Sequence, residues 1–519
     1  MSSYRVTTIL NRLHTFRYRL VLESVAVGVL AGGVVVLFRL VLAQMERLLA
    51  LVTDYVSLHP WFLWVWGLCL LAAAGITTLL LRWEPMISGS GIPQLDGEIQ
   101  GYFSQNWWRV LIAKFLGGIM TIGAGLSLGR EGPSIQLGAM AGKGYARLTR
   151  RMRTEEKLLV TCGASAGLSA AFNAPIAGAL FALEEVHKSF SVEVLLSALT
   201  ASVASDFISR NIFGLRPVFD FSSAVAIPLS HFWIVVLLGI FLGLFGVLYN
   251  WSIQRIQKLY EKIPWQFVRT LIPFCLAGIL IYVYPAVLGG GSQLVMQIAE
   301  GFPIGALLLL FILKFTFSSV SFGAGVPGGI FLPMLVLGAI CGAVFHGIAA
   351  ALGVDLNLLA LVILGMAGAF AAIVRAPVTG ILLITEMTGN FSHLLFIALV
   401  SLVAYAVADL LHARPIYDQL LRRMLLTRGK CQTAKDGEGE KVLIETSVCM
   451  GAAVCGKEVQ EINLPSHCLI VSIRRGEREI VPHGETVVHA GDILAVLCDE
   501  FESAAVTYTM EKQCKALSV

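Results

Sequence analysis

The sequence predicts an all-α polytopic membrane protein built from two repeats with broken helices, followed by a small cytoplasmic α/β domain. Three observations predict it. Of 519 residues, 56% are hydrophobic and only 14% charged, where a soluble domain carries roughly 25% charged residues. Apolar stretches of spanning length recur at 20–45, 61–81, 232–251 and 393–411, and about 20 residues suffice for one crossing. Long passages of the first half also return in the second, about 200 residues later.

Taken along the chain, residues 1–19 form an N-terminal segment with Arg5, Arg12, Arg17 and Arg19. Nothing in it has the short apolar core and small-residue cleavage site of a secretory leader. A transmembrane domain is expected over 20–425, with repeats at about 20–215 and 230–425. Lys143, Arg147, Arg150, Arg151, Arg153 and Lys157 crowd one loop, and Arg414, Arg422, Arg423 and Arg428 follow the last apolar run. Short basic loops stay on the cytoplasmic side, so both termini and the 143–157 loop are expected there; a merely solvated charge run is the plainer alternative. The net charge of +4 is too small to suggest nucleic acid. The ten cysteines form no CxxC pair, and they read as free thiols in a reducing compartment, not as metal ligands or disulfides.

Residues 426–440 are polar and linker-like, and 441–519 read as a small α/β unit. Strands are expected at 469–473 (LIVSI) and 493–498 (ILAVLC), with turn signals at Arg475-Gly476-Glu477 and Gly491-Asp492. This tail follows the basic segment and is too polar for a bilayer, so it should be cytoplasmic.

The repeat is specific. Gly129, Pro133, Gly138 and Gly142 fall on Gly329, Pro333, Gly338 and Gly342, and Lys114 falls on Lys314, each 200 residues on. Gly163, Ala174, Pro175, Gly178 and Glu184 fall on Gly365, Ala376, Pro377, Gly380 and Glu386, each 202 on. Paired repeats in a membrane protein place the substrate site where the halves meet. Segments interrupted by Gly and Pro put backbone ends at membrane depth, which is tolerated only inside protein or along a cavity.

Three such interruptions are Gly89-Ser90-Gly91-Ile92-Pro93, Gly129-Arg130-Glu131-Gly132-Pro133 and Gly329-Ile330-Phe331-Leu332-Pro333. Each is a glycine-containing turn into an apolar helix with Pro in the first turn. Free N–H groups and positive helix ends directed at one point would attract an anion. The plainer reading is that these glycines only pack close helices. Glu131 stands out because a carboxylate at such a helix start, in an apolar protein, is costly. Ionised, it would occupy the site its neighbouring N–H groups create; protonated, it would swing away. The alternative is a structural carboxylate paired with Arg130. Glu184 and Glu185 close an apolar helix near the basic loops, where an acidic pair is usually a solvated helix end; the match of Glu184 to Glu386 argues against that for Glu184.

These motifs, with Tyr417 in Arg414-Pro415-Ile416-Tyr417, resemble the CLC family of chloride channels and proton-coupled chloride transporters over about residues 15–425. The resemblance implies the CLC fold with two inverted-topology repeats and broken helices, a homodimer with one pore per subunit. It implies that the Ser90 and Tyr417 hydroxyls and the N–H groups of Ile330 and Phe331 bind chloride. Glu131 would be the outer gating glutamate and Glu185 the inner proton acceptor, which channels of the family generally lack. Ser90 resembles the chloride-preferring pattern rather than the nitrate-preferring one, and the motifs differ from those of the fluoride-exporting branch. The implied function is secondary active exchange of chloride for protons in the cell membrane, with no cofactor; the alternative is a passive voltage- or pH-gated chloride channel of the same fold. A membrane sensor whose tail is the output is a third reading. No P-loop, HExxH motif or nucleophile elbow points to an enzyme.

The tail resembles the TrkA-C (RCK-C) module through Glu461-Ile462-Asn463-Leu464-Pro465, Ile480-Val481-Pro482-His483-Gly484-Glu485-Thr486 and Gly491-Asp492. That resemblance implies dimerisation and a possible small-molecule ligand. Animal CLC proteins carry CBS domains in this place, so the chain looks bacterial.

Overall fold

The computed structural model describes residues 3–188, 191–221, 223–225, 227–354, 356–428, 441–465, 468–476, 478–499 and 503–514. The expected turn position Glu477 and most of the expected linker, residues 429–440, lie outside these. The chain forms two compact units, Met1–Asp96 with Gln105–Leu421, and Gly97–Ser104 with Arg422–Val519.

The larger unit is helical. Its first half runs through α1 (Ser3–Leu58), α2 (Phe62–Trp83), α3 (Ile92–Ile99), α4 (Trp107–Gly123), α5 (Glu131–Leu148), α6 (Arg153–Phe172), α7 (Pro175–Phe181) and α8 (Val192–Phe213). The second half repeats the series as α9 (Phe232–Glu261), α10 (Gln266–Val283), α11 (Ser292–Glu300), α12 (Ile304–Gly323), α13 (Phe331–Ala351), α14 (Leu358–Val374), α15 (Pro377–Thr388) and α16 (Leu394–Leu410). Helix α17 (Ile416–Arg428) follows. Helix α1 continues without interruption across the expected boundary at residue 19. Among the described residues, 8 helices are long and apolar enough to cross a membrane. Their outward faces suit lipid: Trp64 is 84% exposed and Leu68 67%. In water such a surface would be a large liability, whereas hydrocarbon solvates it.

The halves break their helices by the same device. Helices α6 and α14 end on left-handed residues, Asn173 at φ 55° and Arg375 at φ 74°, and a Pro then opens the next helix two residues on. Proline lacks the N–H that a first-turn residue would leave unpaired. Small residues set the tightest packing. Gly138 of α5 lies on the backbone of Gly163 in α6, and Gly338 of α13 lies on Gly365 in α14, so close that any Cβ would overlap the facing carbonyl.

One expectation needs correction. Only residues 149–152 of the basic 143–157 stretch lie between helices α5 and α6. Lys143 is buried on α5 and donates to the Gln105 carbonyl at 2.6 Å. Arg147 pairs with Glu156 at 2.7 Å, and Arg151 pairs with Glu23. Helical periodicity turned part of this charge inward or toward acids, which a count along the sequence does not register.

The smaller unit holds β1 (Lys441–Ser447), β2 (Leu469–Arg475), β3 (Arg478–Ile480), β4 (Ile493–Asp499) and α18 (Ser503–Cys514). The sheet is antiparallel in the order β1-β4-β2-β3. Ile470, Ile473, Leu494 and Val496 bury one face with Val506 and Met510 of α18. Asp492, with a fully buried side chain, accepts from Arg475 Nε at 2.8 Å, Arg475 Nη2 at 2.7 Å and the His489 N–H at 2.8 Å. Burial alone would raise its pKa, but the Arg475 and His489 donors outweigh that and hold the carboxyl below the ordinary aspartate range.

Candidate functional site

The two halves meet backbone to backbone. The Gly129 N–H donates to the Gly329 carbonyl at 2.7 Å, and the Gly329 N–H donates to the Gly129 carbonyl at 2.8 Å. This antiparallel bridge joins the turns that open α5 and α13. Both helices therefore start at the crossing, and their first-turn N–H groups have no intrahelical acceptors. The sequence placed Ile330 and Phe331 at one of these starts, and the structure puts Ile330 at the N-cap position and Phe331 as the first residue of α13.

Helix α3 joins the same junction. A Cβ on Gly132 would lie 2.7 Å from the Ser90 carbonyl oxygen and 2.8 Å from Ser90 Cβ. The GREGP turn thus admits the GSGIP turn because Gly132 has no side chain. Ser90 is buried, and its hydroxyl accepts from the Ile92 N–H at 3.3 Å. Lys114 holds this turn from behind: its ammonium donates to the carbonyls of Ile87 at 2.8 Å and Gly89 at 2.6 Å. Lys314 does the same in the second half, to Val287 at 2.9 Å and Gly289 at 2.7 Å. The matched lysines are carbonyl clamps, and neither ammonium is spent on the anion-attracting helix starts.

Glu131 is the first residue of α5 and is fully buried. Neither carboxylate oxygen has a side-chain hydrogen-bond partner among the described residues, while the backbone N–H groups of Glu131 itself and of Leu332 in α13 lie close enough to stabilise its charge. A Cβ on Gly129 would overlap Oε2, so the carboxylate lies against the bridge between the halves. A buried carboxylate without a side-chain partner is costly to keep charged, and the helix-start N–H groups beside it are the ones an anion would use.

Tyr417, the second residue of α17, is buried and its hydroxyl is unpartnered among the described residues. Its ring meets Phe181 edge-on at 6.5 Å, and Phe181 meets Phe331 at 6.5 Å. Phe331 also packs on Phe172 and Phe370 at 5.2 and 5.0 Å. An aromatic chain thus connects Tyr417 to the start of α13.

Glu184 and Glu185 lie on a single π-helical turn, Ala182–His187, which extends α7. They do different things. Glu184 accepts from the Thr379 N–H at 2.9 Å and the Thr379 hydroxyl at 2.7 Å. Glu386, its repeat mate, accepts from the Ile176 and Ala177 N–H groups at 3.2 and 2.9 Å. Each glutamate caps the short helix of the opposite half. Glu184 is therefore no solvated helix end, as its repeat match suggested, and its work is structural. Glu185 is 7% exposed and takes no part in this exchange. The reciprocal capping escaped sequence reasoning because it pairs residues about 200 positions apart, although the equal spacing of Glu184 and Glu386 was a usable signal.

Fold and site together define a polytopic membrane transport protein whose two halves meet at paired helix starts. The chain belongs to the voltage gated chloride channel family, which it matches over residues 72–409. Residues 443–506 match the TrkA-C domain. The chain is 37% identical over 435 residues to the H(+)/Cl(-) exchange transporter ClcA of Klebsiella pneumoniae, covering 79% of this chain and 90% of that one. It is 38% identical over 423 residues to ClcA of Vibrio cholerae serotype O1, covering 78% and 89%. The crystal structure of a slow cyanobacterial Cl-/H+ antiporter superposes with a TM-score of 0.75 at 30% identity, covering 79% of this chain and 99% of that one.

Proposed function

We propose that this protein is a secondary active transporter that exchanges chloride for protons across the membrane. The observation that carries this reading is Glu131: a fully buried carboxylate without a side-chain partner among the described residues, placed where two helix starts and the Ser90 turn converge. Chloride would be held by the Ser90 and Tyr417 hydroxyls and by the N–H groups of Ile330 and Phe331. Ionised Glu131 competes for the same positive helix ends, so chloride displaces it when a proton neutralises it. Buried Glu185 then passes the proton to and from the inner face, which favours exchange over passive conduction. The names of the relatives support the same substrates.

In this account the protein performs no chemical step, uses no cofactor and draws its energy from ion gradients. It works as a homodimer in the cell membrane with both termini in the cytoplasm. The TrkA-C domain strengthens the dimer or adds control by a small ligand. The test is the reversal potential of the purified protein in a planar bilayer under a pH gradient at symmetric chloride. Exchange predicts a potential that moves with the pH gradient; a potential fixed at zero would identify a passive chloride channel.

A further inference from the structure

Three elements named above end at one side chain. Lys188 follows the π-helical turn that carries Glu185, and it adopts φ 53°, a left-handed conformation uncommon for a residue with a side chain. Its ammonium donates to Asp96 Oδ2 at 2.8 Å and to Asp418 Oδ1 at 2.6 Å. Asp96 lies on α3, the helix that Ser90 introduces, and Asp418 is the neighbour of Tyr417 in the first turn of α17.

We propose that Lys188 is a positioning residue of the transport cycle: it latches the Ser90 helix and the Tyr417 helix to the Glu185 turn, and its release from Asp418 opens the path between the two hydroxyls. The assignment rests on the exchange reading for its coupling readout, but the latch itself is read in chloride flux alone.

The two halves of the latch are unequal. The Asp96 side chain is 1% exposed, whereas Lys188 is 36% and Asp418 47% exposed. Removing the cation from a buried carboxylate is strongly unfavourable, while an exposed ion pair contributes little. Lys188 therefore stays with Asp96, and the Asp418 contact is the one that breaks and re-forms. The moving part is α17 with Tyr417; α3 with Ser90 stays fixed, as its clamp by Lys114 also requires. The same ammonium stands within electrostatic range of Glu185, so the state of the latch is felt at the proposed proton acceptor.

The experiment compares wild type, Lys188→Met, Lys188→Arg and Asp418→Asn in proteoliposomes, reading chloride turnover and, in bilayers, the reversal potential under a pH gradient. Lys188→Met is expected to raise chloride turnover and move the reversal potential toward the chloride equilibrium value. Asp418→Asn is expected to raise turnover about 1.5- to 5-fold, the change that loss of an exposed ion pair allows. Lys188→Arg, which keeps the charge, is expected to restore wild-type values. Unchanged turnover and reversal potential in a folded Lys188→Met protein would overturn the latch, as would an arginine variant that behaves like methionine. Should Lys188→Met fail to fold, Asp418→Asn decides alone, because its side chain is half exposed: unchanged turnover overturns the proposal. If wild type moves no protons, the exchange reading falls, and the turnover comparison still tests the latch.

Discussion

Gly129 and Gly329 exchange a pair of backbone hydrogen bonds, at 2.7 and 2.8 Å, across the junction of the two halves. The pairing places two helix starts side by side, and Glu131 folds back against it. Residues 200 positions apart in sequence thus become the nearest of neighbours at the site.

Gly129→Ala tests that contact. A methyl group there would occupy the position of Glu131 Oε2, whereas a Cβ on Gly329 meets nothing nearer than 3.2 Å. Gly129→Ala should displace the carboxylate and lower proton-coupled flux by about tenfold, the effect of about 1.4 kcal/mol. Gly329→Ala should retain most of it. Parallel measurements of proton and chloride flux in liposomes check the contrast.

Glu184 and Glu185 should separate cleanly. Glu184→Ala removes the acceptor for two Thr379 donors, at a cost of about 1–3 kcal/mol. It should lower the unfolding temperature in detergent while leaving the chloride-to-proton ratio intact, and Glu386→Ala should do likewise. Glu185→Gln should leave the unfolding temperature near wild type, stop proton movement and still pass chloride. Unaltered coupling in Glu185→Gln would move the inner proton site elsewhere.

The lysine clamps give an asymmetric prediction. Gly89 has a second donor in the Gly328 N–H at 3.0 Å. Lys114→Met then deprives mainly the Ile87 carbonyl, whereas Lys314→Met deprives both Val287 and Gly289. At about 1–3 kcal/mol for each buried group left unpaired, Lys314→Met should be the more destabilising, as read by thermal unfolding of the two purified variants.

How much of this was legible in the sequence depends on the range of the interaction. The two-repeat helical fold was legible because Gly129, Pro133, Gly138 and Gly142 recur at one offset in the second half, and helix breaks are local chemistry. Glu131 was legible because a carboxylate in an apolar helix start is conspicuous. Reciprocal capping by Glu184 and Glu386 was hinted at only by their equal spacing, and the Lys188 bridge not at all, because side-chain contacts between residues far apart in the chain leave no periodicity. In the tail, β2 and β4 were legible as apolar runs. Strand β1, although as long as β2 and β4, starts at the end of a polar stretch that hides its edge, and β3 has only 3 residues, too few to carry a pattern.

The tail offers a pH test. Asp492 titrates below the ordinary aspartate range when folded, so its contribution is present at neutral pH and is lost as pH falls through the lowered folded value. Asp492→Asn should therefore destabilise the TrkA-C domain at pH 7 by about 1–3 kcal/mol, and the difference from wild type should shrink on acidification below the ordinary aspartate pKa of about 3.9. Unfolding of the full chain followed at several pH values checks both limits.

The central claim is that one carboxylate, Glu131, couples the two ions. Proton uptake driven by a chloride gradient, measured in proteoliposomes at controlled pH, tests it most directly. The account predicts uptake by wild type and none by Glu131→Gln, while that variant still passes chloride. Chloride-driven proton uptake that survives Glu131→Gln would contradict it.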